Sequence, residues 1–146
     1  MNQPQVDYRV GGIVARKNGL SKTEEYLLVT SYSNPAKWII PAGHVELGET
    51  EEEAALREVL EEAGTQATII EELGCYQHVW LRGGREVPIS TRIFLMKYGQ
   101  TVRHNPENRR VGFFSYEEVL KLDLWDETKA FFQKAHQKML GILKEG

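Results

Sequence analysis

One cysteine, Cys75, stands alone in 146 residues, so no disulfide can close within the chain and a reducing, cytoplasmic setting is the expectation. No apolar run is long enough to cross a bilayer, and the opening MNQPQVDYRV carries no apolar signal core. A strong excess of positive charge is missing too. Lys and Arg number 18 against 21 Asp and Glu, for a formal net charge of -3, which argues against a nucleic-acid binder. That balance still admits an anionic small molecule where a cation or a local basic patch mediates. There is no internal repeat and no low-complexity linker. The length suits one domain, residues 1–146, with a buried core. Apolar residues at 41% and charged residues at 27% are ordinary for a soluble globular protein. The sequence leaves open whether that domain works as a monomer or a homodimer.

What is present alternates strands and helices. YRVGGIVARK (8–17) is a β-branched apolar run whose Gly11-Gly12 pair suggests a bulge or a close backbone approach. EYLLVTSY (25–32) reads as a strand buried on both faces, and WII (38–40) as a short strand closed by Pro41. Residues 49–63 lack Gly, Pro and Asn and should be helical, with Gly64 as the left-handed cap. Residues 67–81 and 86–98 flank Gly83-Gly84, a hairpin signal. Residues 99–110 read as a polar, basic loop. VGFFS (111–115) is a strand, and Ser115 with Glu118 has capping-box spacing. A last helix over 125–143 carries Trp125, Phe132, Ala135, Met139 and Ile142 at helical spacing, a core stripe. This order gives a layered α/β or α+β domain. Cys75, inside an apolar strand, is expected to be a core thiol, and His78 and His104 to be structural. His44 is expected either to contact substrate or to fill a turn.

The stretch GHVELGETEEEAALREVLEEAG (43–64) holds eight carboxylates. Glu49, Glu51, Glu52 and Glu53 lie in or near the first helical turn, where the dipole favours negative charge. Glu58, Glu61 and Glu62 crowd toward the other end, where the dipole opposes them and they repel one another. At about 100° per residue, Glu51, Glu58, Glu61 and Glu62 share one side of the helix. That side lies beside the stripe of Ala55, Leu56, Val59, Leu60 and Ala63 rather than opposite it. Arg57 can offset one acid; a divalent cation would offset all three. Hard cations such as Mg²⁺ take one or two carboxylates together with waters and substrate phosphates.

The spacing is more telling than the charge. The segment fits G-x5-E-x7-R-E-U-x-E-E-x-G, where U is a bulky aliphatic, through Gly43, Glu49, Arg57, Glu58, Val59, Glu61, Glu62 and Gly64. At roughly 6% usage per residue type, such a match arises by chance on the order of once in 10⁸ to 10⁹ positions. It resembles the signature of the Nudix hydrolases, departing only at Thr65, where an aliphatic is usual. LLVTSYSNPAKWIIPAGHVELGE, and more loosely the RGGR hairpin and NRRVGFF, resemble the diphosphoinositol polyphosphate and diadenosine polyphosphate hydrolases of that family.

The resemblance implies an α/β/α sandwich around a central mixed β-sheet, with a loop–helix–loop Nudix box. It implies a Mg²⁺- or Mn²⁺-dependent hydrolase that cleaves the diphosphate linkage of a phosphorylated small molecule by water attack on phosphorus. The expected substrates are diphosphoinositol or dinucleoside polyphosphates, with nucleoside triphosphates or nucleotide sugars as the alternative. A Nudix-fold sensing module without catalysis is the rival of another class, and the intact box argues against it. Carried over, Glu58 and Glu62 are metal ligands joined by the Gly43 carbonyl, and Glu61 is the base or a further ligand. Arg57 orients the glutamates, and Glu49 is a salt-bridge partner or an outer ligand. Phosphate-binding positions map to Arg9, Ser31, Tyr32, Ser33, Arg82 or Arg85, and Arg109, with Arg92, Arg103 and Arg110 as further candidates for a basic rim. Ser33 stands where a basic residue is common, and Ala42 and His44 replace part of a glycine-richer loop.

Overall fold

The computed structural model describes residues 6–17, 19–20, 23–104, 106–124 and 126–145. Trp125, expected in the last helical stripe, lies outside them. The strands are β1 (Asp7–Lys17), β2 (Glu24–Thr30), β3 (Trp38–Ile39), β4 (Ala42–Gly43), β5 (Thr65–Arg82), β6 (Arg85–Thr101) and β7 (Val111–Ser115). The helices are α1 (Glu51–Ala63), α2 (Tyr116–Lys121) and α3 (Asp126–Glu145), with a 3-10 turn at Pro106–Asn108. The strands form one mixed sheet in the order β3-β2-β1-β6-β5, with β4 added to β1 and β7 to β2. β1 and β6 pair in parallel, from Asp7↔Ile89 to Ala15↔Lys97.

Helices cover both faces, so the inner strands are apolar at successive positions rather than at alternate ones. On one face Val10, Val14, Leu27, Val29, Phe94 and Met96 meet Ala54, Ala55, Val59 and Ala63 of α1. On the other, Ile13, Ala15, Tyr26, Leu28, Ile93 and Leu95 meet Phe132, Ala135 and Met139 of α3. This is the expected sandwich. Ile142 departs from the expected stripe: it is 42% exposed, and Met139 is the last of the stripe to be buried. Cys75 also departs. It is exposed on the edge strand β5, its Sγ 3.1 Å from Ser90 Oγ, rather than in the core.

Boundaries shift for identifiable reasons. α1 starts two residues later than residue 49 because Thr50 caps it in a capping box with Glu53. The expected Ser115–Glu118 box is present at α2. β2 stops at Thr30, because the Ser31 N–H turns to bond the Lys37 carbonyl. Residues 99–101 extend β6 instead of opening a loop. The hairpin turn at Gly83 (φ 56°) and Gly84 (φ 79°) is as expected.

The Gly11-Gly12 pair makes the close approach that its sequence suggested. A Cβ on Gly11 would lie 2.5 Å from the Pro41 carbonyl oxygen, and the Gly12 N–H donates to that oxygen. Without side chains there, β4 reaches β1, pairing Val10 with Gly43 and Gly11 with Ala42. That two-residue strand carries the start of the acidic motif to the middle of the sheet, beside α1.

Candidate active site

α1 presents its acids in graded exposure. Glu62 is buried, Glu58 half-buried and Glu61 exposed. Beside them, a Cβ on Gly43 would fall 2.3 Å from the Glu58 carboxyl group. Glycine therefore lets that carboxylate lie directly against the backbone of β4. The Ala42 N–H donates to Glu62 Oε2 at 2.7 Å, and Arg109 Nη1 donates to Glu62 Oε1 at 3.0 Å. Burial, reinforced by the neighbouring Glu58 charge, outweighs both partners and pushes the Glu62 carboxyl up to about 7. Burial also raises Glu58, with Arg57 opposing it.

Arg57 gathers the rest. Its Nε and Nη2 hold Glu49 at 2.7 and 3.0 Å, and Nη1 donates to Glu58 at 2.8 Å and Glu61 at 3.2 Å. Nη2 also donates to the His44 carbonyl at 2.8 Å, joining the loop to the helix. One fork thus hydrogen-bonds three glutamates and a backbone oxygen, with Glu46 at 3.6 Å as a further ion pair, the geometry that a guanidinium allows and an ammonium does not. These hydrogen bonds hold Glu49 below its ordinary carboxylate value.

Among the described residues, no three Asp, Glu, His or Cys side chains are arranged to hold a metal ion. The repelling oxygens have turned to Arg57 and Arg109 instead. Glu58, against the Gly43 cradle that any side chain would fill, and Glu62, against the Ala42 N–H, nonetheless offer hard oxygen donors. That donor set fits Mg²⁺ or Mn²⁺, which need few carboxylates when water and phosphate complete the shell.

Gly64 closes α1 at φ 61° and carries the next part of the site. Its carbonyl accepts from the N–H groups of Val102 and Arg103 at 2.7 and 3.2 Å. The loop that follows delivers Arg109 to Glu62 and, in left-handed geometry at φ 58°, Glu107 to within 3.6 Å of Arg109 Nε. The Glu107 charge adds to the repulsion on Glu58 and Glu62. Glu107 lies outside the motif and was not singled out in the sequence; a non-glycine residue held at positive φ beside an acidic cluster is visible only in the fold.

A cleft of about 790 Å³ opens from Glu62 across the sheet. Of the phosphate-binding positions expected from sequence, Arg9, Ser31, Tyr32, Ser33, Arg82 and Arg109 line it; Arg85 does not. Arg92 is taken up elsewhere, pairing with Glu51 at 2.9 Å, with Glu72 and with the Tyr8 hydroxyl, so it ties α1 to the sheet. Arg110 donates to the Pro35 carbonyl at 3.3 Å. His104 is exposed and, among the described residues, belongs to no group that could hold a metal, whereas His78 lines the cleft, and burial lowers its pKa.

His78 belongs to a feature that the sequence reading missed. Tyr76, His78 and Trp80, alternate residues of β5, form a ladder with ring centroids 5.1 and 5.5 Å apart. Arg9 and Arg82 approach the Trp80 ring at 4.8 and 5.3 Å. The Arg109 guanidinium lies 3.9 Å from the Tyr32 ring centroid. The period-two spacing of three aromatic side chains was readable in the sequence; that they face the cleft depends on β5 lying beside β6 at the sheet edge. Asp7, at the start of β1, contacts three basic side chains near this wall: Arg9 at 3.2 Å, His44 at 2.6 Å and Arg82 at 3.4 Å. Burial raises the Asp7 carboxyl, but Arg9 and His44 together hold it below its ordinary value.

A family model for the NUDIX domain matches residues 8–135. The chain is 29% identical over 134 residues to the mouse bis(5'-nucleosyl)-tetraphosphatase (asymmetrical), covering 87% of this chain and 91% of that one. Its fold matches the crystal structure of a C. elegans Ap4A hydrolase binary complex with TM-score 0.70 and 26% identity, over 93% of this chain and 99% of that one. Over a shorter stretch of 61 residues, 42% of this chain, it is 39% identical to MutT4, a candidate mutator protein of Mycobacterium tuberculosis, and spans 25% of that relative's length. No helix of the described residues is long and apolar enough to cross a membrane. The motif, the sandwich that presents it and the match across most of the chain agree: the protein is a member of the Nudix hydrolase family.

Proposed function

We propose that the protein hydrolyses dinucleoside polyphosphates with Mg²⁺ or Mn²⁺. The observation that carries this reading is the continuity of one cleft, from the aromatic ladder Tyr76–His78–Trp80 to the buried carboxylate of Glu62. A nucleobase has a π-face to stack on such a wall, and the polyphosphate then runs past Arg9 and Arg109 toward the acids. The mouse relative's name, a bis(5'-nucleosyl)-tetraphosphatase, agrees with it.

In this reading Glu58 and Glu62, with the Gly43 carbonyl, would hold the cation. When bound, it neutralises phosphate charge and lowers the pKa of a water molecule. Arg57 fixes the rotamers of Glu58 and Glu61, and Arg109 positions Glu62 and faces the substrate. Glu61, the most exposed of the three acids, accepts the proton of the attacking water. The new bond joins that oxygen to phosphorus, and the bridging P–O bond breaks to release a nucleotide. Glu107 is the second candidate for the proton acceptor.

A specific feature favours a second reading, a diphosphoinositol polyphosphate substrate: Ser31, Ser33, Lys37, Arg9 and Arg109 line the same cleft with donors suited to clustered phosphates. Incubation with a dinucleoside tetraphosphate and with a diphosphoinositol polyphosphate, each with Mg²⁺ in ¹⁸O-water, decides between them. Turnover of the dinucleotide with ¹⁸O in one product phosphate, abolished by chelator, is expected. Turnover of the inositol compound alone would replace the first reading with the second.

A further inference from the structure

The β5–β6 hairpin is longer than the support beneath it. β1 begins to pair with β6 at Asp7↔Ile89, and Ile89 faces His78 across the hairpin. Trp80 and Arg82 therefore lie on the tip, beyond the first residue of β1 that pairs. Arg82 is half exposed, and an arginine on an unsupported tip would sample many rotamers. The start of β1 supplies the restraint. Asp7 Oδ2 lies 3.2 Å from Arg9 Nη2 and 3.4 Å from Arg82 Nη2, while Oδ1 lies 3.3 Å from Arg9 Nε and 2.6 Å from His44 Nε2. These basic groups come from three places: β1 itself, the residue after Gly43, and the hairpin tip. Asp7 is nearly buried at 12% side-chain exposure, and it does not line the cleft, whereas Arg9 and Arg82 do.

We propose that Asp7 is a positioning residue that presents Arg9 and Arg82 to the substrate polyphosphate. It binds them from behind, holds both beside Trp80, and ties the hairpin tip to the loop after β4. The inference rests on the polyphosphate-hydrolase reading for its substrate.

The sign of one substitution separates positioning from simple charge. Removing a carboxylate makes the rim more positive, so charge alone would tighten polyphosphate binding, an effect that salt screens. Loss of positioning would weaken it, because the ligand must then order two long side chains itself. At physiological ionic strength Asp7→Asn is expected to raise KM for a dinucleoside tetraphosphate about tenfold, leaving kcat within about threefold. Asp7→Glu, which keeps the carboxylate, is expected to recover most of that loss. In an Arg9→Ala/Arg82→Ala background, Asp7→Asn should add less than about twofold. An unchanged or lowered KM, or a full tenfold loss without the arginines, overturns the proposal.

Calorimetric binding of inorganic tripolyphosphate with divalent cations chelated, the condition that abolishes turnover, repeats the same cycle. If the wild type does not cleave the dinucleotide, the substrate reading falls, while this titration still decides the role of Asp7. Should Asp7→Asn fail to fold, hydrogen exchange at the Arg9 Nε–H in the wild type answers instead. Protection is expected, and solvent-like exchange overturns the proposal.

Discussion

Glu62 shows, at the scale of one residue, what burying a carboxylate beside another one costs. Its pKa lies near 7 in the fold against an ordinary 4.5, so the folded chain holds that proton more tightly than the unfolded chain. The folded state therefore gains most below pH 4.5, and the gain is lost as pH rises to about 7. A shift of this size is worth on the order of 3 kcal/mol. Without divalent cation, the urea midpoint should fall between pH 5 and 7.5. Millimolar Mg²⁺ should remove much of the fall, since a bound cation replaces the proton. Glu62→Gln should flatten the same profile; a slope unchanged by that substitution would show that another group is responsible.

Gly43 gives a sharper test of geometry. The atoms that an alanine Cβ would strike belong to the free end of the Glu58 side chain, which can swing aside. Gly43→Ala should therefore fold with little loss of stability. Its rate should fall by about 100-fold or more, because the carboxylate must leave the position where it fits a metal. Near-wild-type turnover in a folded Gly43→Ala would remove Glu58 from the site.

At the scale of elements, α1 and its caps act as a bracket for the site. Gly64 ends the helix and, through its carbonyl, fixes Val102 and Arg103, which begin the segment leading to Glu107 and Arg109. A Cβ there would lie 2.0 Å from the Arg103 carbonyl oxygen, at a φ of 61° that already penalises side chains. Gly64→Ala should cost more than about 2 kcal/mol in denaturant unfolding, since backbone strain and a backbone clash add. It should also cut turnover, because Arg109 shifts from Glu62.

This bracket also explains what was legible beforehand. α1, the hairpin turn and the capping box of α2 rest on contacts within four residues, and local spacing encodes them. That Glu58, Glu61 and Glu62 share one helix face was readable for the same reason, and the links from Arg57 to Glu58 and Glu61 lie within four residues of it. β4 was not, because two residues pair with β1 only where Gly11 admits Pro41, a contact some thirty positions away in the chain. Cys75 and Ile142 were misplaced because apolar spacing does not reveal where cover ends. Cys75 faces out from an edge strand, and Ile142 lies beyond the last buried residue of the α3 stripe. The aromatic ladder shows period two, yet its target depended on the order of strands in the sheet.

For the whole molecule, the proposed substrate raises the question of how an acidic chain would collect a polyanion. With a net charge of -3 it has no long-range pull on phosphate, so in the proposed reading attraction is local, from Arg9, Arg82, Arg109 and the cation. Part of the binding would then be uncharged, and the ladder on β5 is the proposed source of it. Stacking of one base on an aromatic side chain is worth roughly 1–3 kcal/mol by alanine substitution. Trp80→Ala should thus raise KM for a dinucleoside tetraphosphate by about 5- to 150-fold. The tripolyphosphate Kd should change much less, since that ligand has no base to stack. The salt dependence of KM should keep its slope, because the substitution removes no charge. Equal losses for both ligands would mean that Trp80 serves the phosphate side by ordering Arg9 and Arg82, and the cleft would lose its claim to select a nucleotide.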